Sequence, residues 1–276
     1  CYIWNLDYVE QLMDEYHKIC PEVPIWVGGP EVSYETEAFL KEHPQVTGVM
    51  VGEGEETFLE LCESYAKAGI GEMAEKMNLL GIKGIMYRAG ESLVKTGARE
   101  PLDLNRIPFC YGGVEDFRNR IIYYESSRGC PFRCSYCLSS VEKTLRFRDV
   151  ERVKKELAFF LEQEVAQVKF VDRTFNCRHE HAMEIWKFLI EHDNGVTNFH
   201  FEISADLLTD EEIALIGQMR PGLIQLEIGV QSTNDATITE IHRTMQLDRL
   251  KAVVRSIQEK ENRHEHPKRI GFLRYY

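Results

Sequence analysis

Residues 121–140 read Ile121-Ile122-Tyr123-Tyr124-Glu125-Ser126-Ser127-Arg128-Gly129-Cys130-Pro131-Phe132-Arg133-Cys134-Ser135-Tyr136-Cys137-Leu138-Ser139-Ser140. Ile121–Glu125 reads as a short strand, and three cysteines follow it in a loop at the spacing C-x3-C-x2-C. From there to the carboxy terminus, helical and strand patterns alternate. Asp149 opens a helix whose Val150, Val153, Leu157, Phe160 and Leu161 share one face, and a strand follows at Val168–Asp172. A helix carrying Ala182, Ile185, Trp186 and Leu189 leads to a strand at Phe199–Ser204. Thr209-Asp210-Glu211-Glu212 has the form of a capping box and starts the next helix, before a strand at Leu223–Val230. A helix over 247–259 and a last apolar segment, Ile270–Tyr275, complete the pattern. Five strands with helical crossovers predict an α/β fold of the (β/α) TIM-barrel type, or part of one.

The same rhythm occurs upstream. A helix following Asn5 carries Val9, Leu12, Met13, Tyr16 and Ile19, and Pro24–Val27 reads as a buried strand ending in Gly28-Gly29-Pro30. A helix over about Ser33–Glu42, a strand at Val46–Val51, the turn Gly52-Glu53-Gly54-Glu55 and a helix through Phe58, Leu61, Cys62 and Tyr65 follow. This alternation predicts a parallel, doubly wound sheet. Gly84–Arg88 and Leu93–Lys95 flank the turn Ala89-Gly90-Glu91-Ser92 and read as a hairpin, with Pro101 and Pro108 beyond it. The expected organisation is a first domain over 1–70, a connecting segment with the hairpin over 71–120, and a second domain over 121–276. The chain opens at Cys1 without Met, next to a strand end, and reads as a fragment cut at both ends.

Composition narrows the function. Hydrophobic residues at 43% and charged residues at 28% are those of a folded globular protein. A formal charge of −12 argues against a broad nucleic-acid-binding surface, so the expected substrate is a small molecule or a protein. There is no membrane-span-length apolar run and no signal-peptide pattern, and the expected location is cytoplasmic. The eight cysteines are irregularly spaced, which fits metal ligation or catalysis better than a disulfide framework.

The three clustered cysteines sit at a strand's C-terminal end, where parallel α/β folds place ligands. A structural zinc site needs four protein ligands, so zinc would require a histidine or the distant Cys177 as the fourth. A [4Fe–4S] cluster held by three thiolates keeps one iron open to a substrate or cofactor.

Cys130-x3-Cys134-x2-Cys137, with Tyr136 before the last cysteine, Arg-Gly before the first and Pro-Phe after it, resembles the signature of the radical S-adenosylmethionine (SAM) superfamily. The resemblance implies that Cys130, Cys134 and Cys137 ligate a [4Fe–4S] cluster whose open iron chelates SAM. One electron then cleaves SAM to give a 5′-deoxyadenosyl radical that takes hydrogen from substrate. It also implies an electron donor such as flavodoxin or ferredoxin, and Tyr136 beside the adenine. The family's Gly-Gly-Glu segment has its positional counterpart in Val171-Asp172-Arg173-Thr174, where the residues differ. Asp172 is a candidate acceptor for the SAM ammonium or a cap for the next helix. Glu202 in Phe199–Ser204, and Glu227 and Gln231 in Leu226–Ser232, are polar residues on otherwise apolar strands. They are candidates for contacts to SAM, or for structural ion pairs. Cys177 reads as a packed thiol, His200 as a core histidine, and His179 and His181 as solvated.

The order of parts is similar to the cobalamin-binding branch of the superfamily, in which a Rossmann-like domain precedes the barrel. The resemblance places Gly28, Gly29, Glu53 and Gly54 along the cobalamin. It implies methyl transfer to an unreactive carbon, or a related cyclisation or rearrangement. Two other readings remain open on sequence grounds. A methylthiotransferase-like enzyme would use Cys1, Cys20 and Cys62 for a second cluster, and a non-catalytic module would bind zinc or cobalamin.

Overall fold

The structure is a computed structural model, and it describes residues 1–68, 78–112, 120–140 and 144–261. The chain divides into two compact units, Cys1–Leu102 and Asp103–Tyr276.

In the first unit, helix α1 (Leu6–Ile19) precedes strand β1 (Trp26–Gly28), short helices α2 (Pro30–Ser33) and α3 (Thr36–Glu42), strand β2 (Gly48–Met50) and helix α4 (Glu55–Ala68). Strands β3 (Ile85–Ala89) and β4 (Ser92–Lys95) complete a sheet of order β1-β2-β3-β4. Only β1 and β2 are parallel; β3 and β4 join antiparallel. The hairpin expected in a connecting segment is therefore half of the first sheet. Its Ile85, Met86 and Tyr87 are buried, and apolar residues of that kind lower their free energy by pairing onto an existing sheet edge.

Strand alternation sends side chains to both faces. Val27, Val49 and Met86 pack with Met13 of α1, Val32 of α2 and Leu40 of α3. Trp26, Met50, Ile85 and Tyr87 pack with Leu61 and Tyr65 of α4 on the other side. The Trp26 indole N–H donates to the Tyr65 hydroxyl at 2.7 Å, and Gly48 makes room for that indole, since a Cβ there would lie 2.5 Å from its ring. The expected helix over Ser33–Glu42 is broken at Tyr34-Glu35. Asn5 does not cap α1 with its side chain, which accepts from the Tyr2 N–H instead.

The second unit begins with strand β5 (Ile122–Tyr124), followed by a two-stranded ribbon of β6 (Ser127–Arg128) and β7 (Arg146–Phe147). Helix α5 (Val150–Glu162), strand β8 (Gln167–Phe170), helix α6 (His179–Glu191), strand β9 (Asn198–Ile203) and helix α7 (Asp210–Ile216) come next. Strand β10 (Ile224–Ile228) and helices α8 (Asp235–Glu240) and α9 (Leu247–Glu261) end the described chain. The sheet runs β5-β8-β9-β10 with every pair parallel. The capping box at Thr209 forms as its sequence predicts. The strand expected at Ile270–Tyr275 lies outside the described residues.

One face of this sheet carries Ile122, Tyr124, Val168, Phe170, Phe199, Phe201, Leu226 and Ile228. It packs against Val153, Leu157 and Phe160 of α5 and Ala182, Ile185, Trp186 and Leu189 of α6. The alternate residues Tyr123, Lys169, His200, Glu202, Gln225 and Glu227 face the other way and are largely polar. A sheet covered by helices on one face and polar on the other is the arrangement of a (β/α) barrel section, and differs from an open sheet covered on both. Below the sheet, the buried Glu156 of α5 accepts from the Tyr124 hydroxyl at 2.6 Å and pairs with Arg148 at 3.1 Å and Arg152 at 3.0 Å. Arg152 also donates to the Ile107 carbonyl at 2.8 Å, which fixes the entering segment. No helix of the described residues is long and apolar enough to cross a membrane.

Candidate functional site

The cysteine loop leaves the C-terminal end of β5 and is closed at its base by the β6–β7 ribbon, in which Ser127 faces Phe147 and Arg128 faces Arg146. Gly129 starts the loop at φ +99, and a Cβ there would collide with the Thr144 carbonyl, so this position admits only glycine. Within the loop the Cys137 N–H donates to the Cys134 carbonyl at 3.1 Å, and the Ser140 N–H to the Cys137 carbonyl at 3.0 Å. These turns place Cys134 and Cys137 on one compact bend. The Cys130 sulfur lies 3.5 Å from the Thr174 hydroxyl, and Cys134 is buried with its sulfur 4.0 Å from Arg243 Nη1. Tyr136 is 52% exposed, and its hydroxyl accepts from Arg243 Nη1 at 3.2 Å.

Asp172 does not cap a helix, contrary to one of the two sequence expectations for it. It is fully buried; its carboxylate accepts from the Ser126 N–H at 2.9 Å, the Ser126 hydroxyl at 2.7 Å and the Ser127 hydroxyl. Burial pushes this carboxyl up to about 6, against the lowering effect of the serine hydrogen bonds. His181, expected to be solvated, is buried instead. Its Nε2 lies 3.1 Å from the Ser126 hydroxyl, with its ring edge-on to Phe147, and burial pushes it down to about 4. Asp172 thus holds the strand end from which the cysteines depart.

Glu202 and Glu227 sit opposite each other on β9 and β10, on the polar face. Neither is a free carboxylate: Lys169 Nζ lies 3.2 Å from an oxygen of each. His200 Nε2 lies 3.0 Å from a Glu227 oxygen. Burial lowers Lys169, but Glu227 and Glu202 outweigh it and hold the ammonium above its ordinary value; burial and Lys169 lower His200. The ion-pair alternative therefore describes both glutamates here.

Gln231 follows β10 with φ +65, and the Ser232 N–H donates to the Val230 carbonyl at 2.8 Å, closing a tight γ-turn around it. A non-glycine residue held there stores about 1–3 kcal/mol, as functional positions often do. Gly229 lies under its amide; a Cβ there would come 2.8 Å from Gln231 Nε2.

In the first unit, Gly28-Gly29 and Gly52–Gly54 follow the C-terminal ends of the parallel pair β1 and β2, on the same sheet edge. Gly29 at φ +104 and Gly52 at φ +85 turn the chain there, and open space surrounds the Cα of Gly54. Glu53 does not point freely from this edge, since its Oε2 accepts from the Leu102 N–H at 2.7 Å.

Other cysteines are arranged differently. Cys20 ends α1, Cys62 lies exposed on α4, and Cys1 packs at the edge of the first core. Burial pushes the Cys177 thiol up to about 11, and the charges of Asp172 and Cys130 add to this, as expected of a packed thiol. Among the described residues no three His, Cys, Asp or Glu side chains gather to hold a single metal ion. A cluster with several irons places no such demand, because each thiolate binds a different iron. The donor set suits a cluster: three thiols on one loop, with a hydroxyl beside Cys130 and a guanidinium beside Cys134 as outer partners.

Sequence reasoning singles out neither Lys169 nor Arg243, and it places His181 in solvent, where the structure buries it. A lysine on an apolar strand near two strand glutamates was a usable signal for the first. Arg243, 109 residues from Cys134, has no local signal.

Comparison with known proteins agrees with this geometry. Residues 124–264 match the model of the Radical SAM superfamily, and residues 1–62 match the B12 binding domain. The chain is 30% identical over 191 residues to a 2-(S-pantetheinyl)-carbapenam-3-carboxylate methyltransferase of Streptantibioticus cattleyicolor, covering 63% of this chain and 27% of that protein. It is 24% identical over 261 residues to an anaerobic magnesium-protoporphyrin IX monomethyl ester cyclase of Rubrivivax gelatinosus, covering 91% of this chain and 46% of the relative. The chain thus spans less than half the length of these curated relatives. The fold superposes on the radical S-adenosylmethionine methyltransferase TsrM from Kitasatospora setae, solved with cobalamin and a [4Fe-4S] cluster, with a TM-score of 0.73 at 14% identity over 93% of this chain and 52% of that one. The loop of three cysteines at the end of β5, the one-sided helical packing of its sheet and the matched family model have one reading: this chain belongs to the radical SAM superfamily and carries a B12 binding domain ahead of the barrel section.

Proposed function

We propose that the protein is a cobalamin-dependent radical SAM enzyme that transfers a methyl group, or carries out a related radical modification, on a small-molecule or protein substrate. The observation that carries this reading is the cysteine loop at the C-terminal end of β5, which brings Cys130, Cys134 and Cys137 together on one short segment. The methyltransferase relative supports methyl transfer, and the cyclase relative supports a wider range of radical outcomes.

In this reading Cys130, Cys134 and Cys137 hold the [4Fe–4S] cluster. The bound cluster supplies one electron, taken from a donor such as flavodoxin or ferredoxin, to cleave SAM and start hydrogen abstraction. Tyr136 offers an exposed ring beside the loop for a planar base. Gln231, held out by its γ-turn, offers an amide to the polar groups of SAM. Glu202 and Glu227 present the polar face through the Lys169 ion pair, so they reach a ligand as a partly neutralised group. Asp172 keeps the cysteine loop in position from beneath and takes no contact with SAM. Gly28, Gly29 and Gly54 mark the edge where cobalamin would lie; a Cβ on Gly54 would meet nothing within 4 Å, which allows close approach there, while Glu53 braces the loop through Leu102.

The test uses the full-length protein, reconstituted anaerobically with iron and sulfide and then given SAM, cobalamin and a reductant. The expected result is about four irons per chain, as one cubane requires, with 5′-deoxyadenosine and S-adenosylhomocysteine above a Cys130→Ala control. 5′-Deoxyadenosine without S-adenosylhomocysteine would assign a radical modification without methyl transfer. Neither product above the control, from a chain loaded with iron, would end the proposal.

A further inference from the structure

The cysteine loop is held on its far side by a segment nothing in the sequence reading singled out. The Ser135 N–H donates to the Ile241 carbonyl at 2.9 Å. Two residues on, Arg243 reaches three groups: Nη1 lies 3.2 Å from the Tyr136 hydroxyl and 4.0 Å from the Cys134 sulfur, and Nη2 donates to the Gly229 carbonyl. Gly229 directly follows β10 and the loop follows β5, so one side chain ties the outgoing ends of the two outer strands of a four-stranded parallel sheet.

The backbone is shaped for this reach. Helix α8 ends at Glu240, and His242 then takes φ +53, a left-handed conformation uncommon for a residue with a Cβ. The His242 N–H donates to the Thr239 carbonyl and the Arg243 N–H to the Ile238 carbonyl, each at 3.1 Å, so the reversal is fixed by hydrogen bonds. Arg243 Nε is buried with no hydrogen-bond partner. An unpaired buried donor on an obligate cation is costly and persists where the rest of the group is engaged.

We propose that Arg243 is a positioning residue of the cysteine loop, which clamps Tyr136 and Cys134 to the end of β10 and sets the electrostatic environment of the sulfur. The inference rests on the reading above that Cys134 is a cluster ligand. Guanidinium stays protonated at any working pH, so it places a permanent positive charge beside the sulfur. That charge favours the more negative state of whatever the sulfur ligates, and so raises its reduction potential. The planar fork also holds two acceptors at once, which a lysine ammonium on a flexible stem does less well.

The experiment compares the full-length wild type with Arg243→Gln, Arg243→Lys and Tyr136→Phe, both without iron and after anaerobic reconstitution. In the iron-free proteins, amide exchange of the Ser135 N–H is expected to speed about tenfold in Arg243→Gln, the equivalent of one lost hydrogen bond. After reconstitution, the cluster midpoint from an electron paramagnetic resonance titration is expected to move to more negative values in Arg243→Gln. It should stay near wild type in Arg243→Lys, which keeps the charge, and in Tyr136→Phe, which keeps Arg243. Wild-type exchange and midpoint in a folded, iron-loaded Arg243→Gln would overturn the inference alone. A lower iron content with an unchanged midpoint would also overturn it, by reducing Arg243 to a general support of the fold. A wild type that takes up no cluster would overturn the underlying reading, and the inference with it.

Discussion

Asp172 and Ser126 are joined twice: the carboxylate accepts from the serine's backbone N–H at 2.9 Å and from its hydroxyl at 2.7 Å, across two adjacent parallel strand ends. These bonds fix the point where the cysteine loop starts. Replacing Asp172 by Asn leaves one acceptor oxygen and introduces an N–H₂ where the serine hydroxyls donate. Asp172→Asn is expected to destabilise the second unit by about 1–3 kcal/mol through groups left unsatisfied in the core. A lower thermal midpoint and faster exchange of the Ser126 amide would check it.

The pH dependence of this cluster has a definite sign. Asp172 is raised to about 6, so between its unfolded value near 3.8 and 6 the folded state holds a proton that the unfolded state releases. That contribution to stability is present at low pH and is lost as pH rises through 6. His181 is lowered from 6.5 to about 4, so its contribution is present above 6.5 and is lost as pH falls toward 4. Between pH 4 and 6 the two slopes oppose and nearly cancel. Asp172→Asn removes one of them, and stability should then climb by about 3 kcal/mol from pH 4 to 6.5, at about 1.4 kcal/mol per pKa unit. Denaturant unfolding read by Trp186, buried in this unit, with Trp4 and Trp26 changed to Phe, measures it. A slope in the variant no steeper than in its parent would rule out the compensation.

Lys169 separates two glutamates that face each other across neighbouring strands. Lys169→Met leaves two like charges opposed, and since all three groups are partly exposed the loss is expected to be about 1 kcal/mol at neutral pH. Glu202→Gln in the Lys169→Met background, which removes one of the two opposed charges, should recover part of it. No recovery in the double variant would show that packing of the lysine stem, and not charge, is responsible.

Gly129 and Gly52 both have positive φ, but a Cβ on Gly129 meets the Thr144 carbonyl, whereas a Cβ on Gly52 meets nothing within 4 Å. Alanine at Gly52 is expected to cost about 1 kcal/mol for the backbone conformation alone. Alanine at Gly129 should cost more, about 1–3 kcal/mol, and should also open the base of the cysteine loop. Thermal midpoints of the two variants, with iron uptake after reconstitution, separate these effects.

Much of the architecture was readable because it is local. The short apolar runs at Ile121–Glu125, Val168–Asp172 and Phe199–Ser204 correspond to β5, β8 and β9, and the Thr209 capping box forms. Short helices were less readable: α8 was not predicted, and the helix expected over Ser33–Glu42 is divided in two. In six-residue or shorter helices the apolar period is not repeated often enough to be seen. The sequence marks a hairpin at Ile85–Lys95 but not the sheet it joins, because nothing local states which strand edge β3 pairs with.

By itself the sequence determined the parts whose chemistry depends on neighbours along the chain: the three cysteines, the glycine before them, the aromatic residue among them and the strand that carries them. Spacing of a few residues sets those relationships through backbone geometry, which is the same in any context. The tertiary structure alone decided what the charged groups do. Asp172 could face a cofactor or the core, Glu202 and Glu227 could be free or paired, and Arg243 could lie anywhere. Coulomb attraction and hydrogen bonding act across space between residues far apart in sequence, and the packing of β5 through β10 chose Ser126 for Asp172, Lys169 for the two glutamates and the cysteine loop for Arg243.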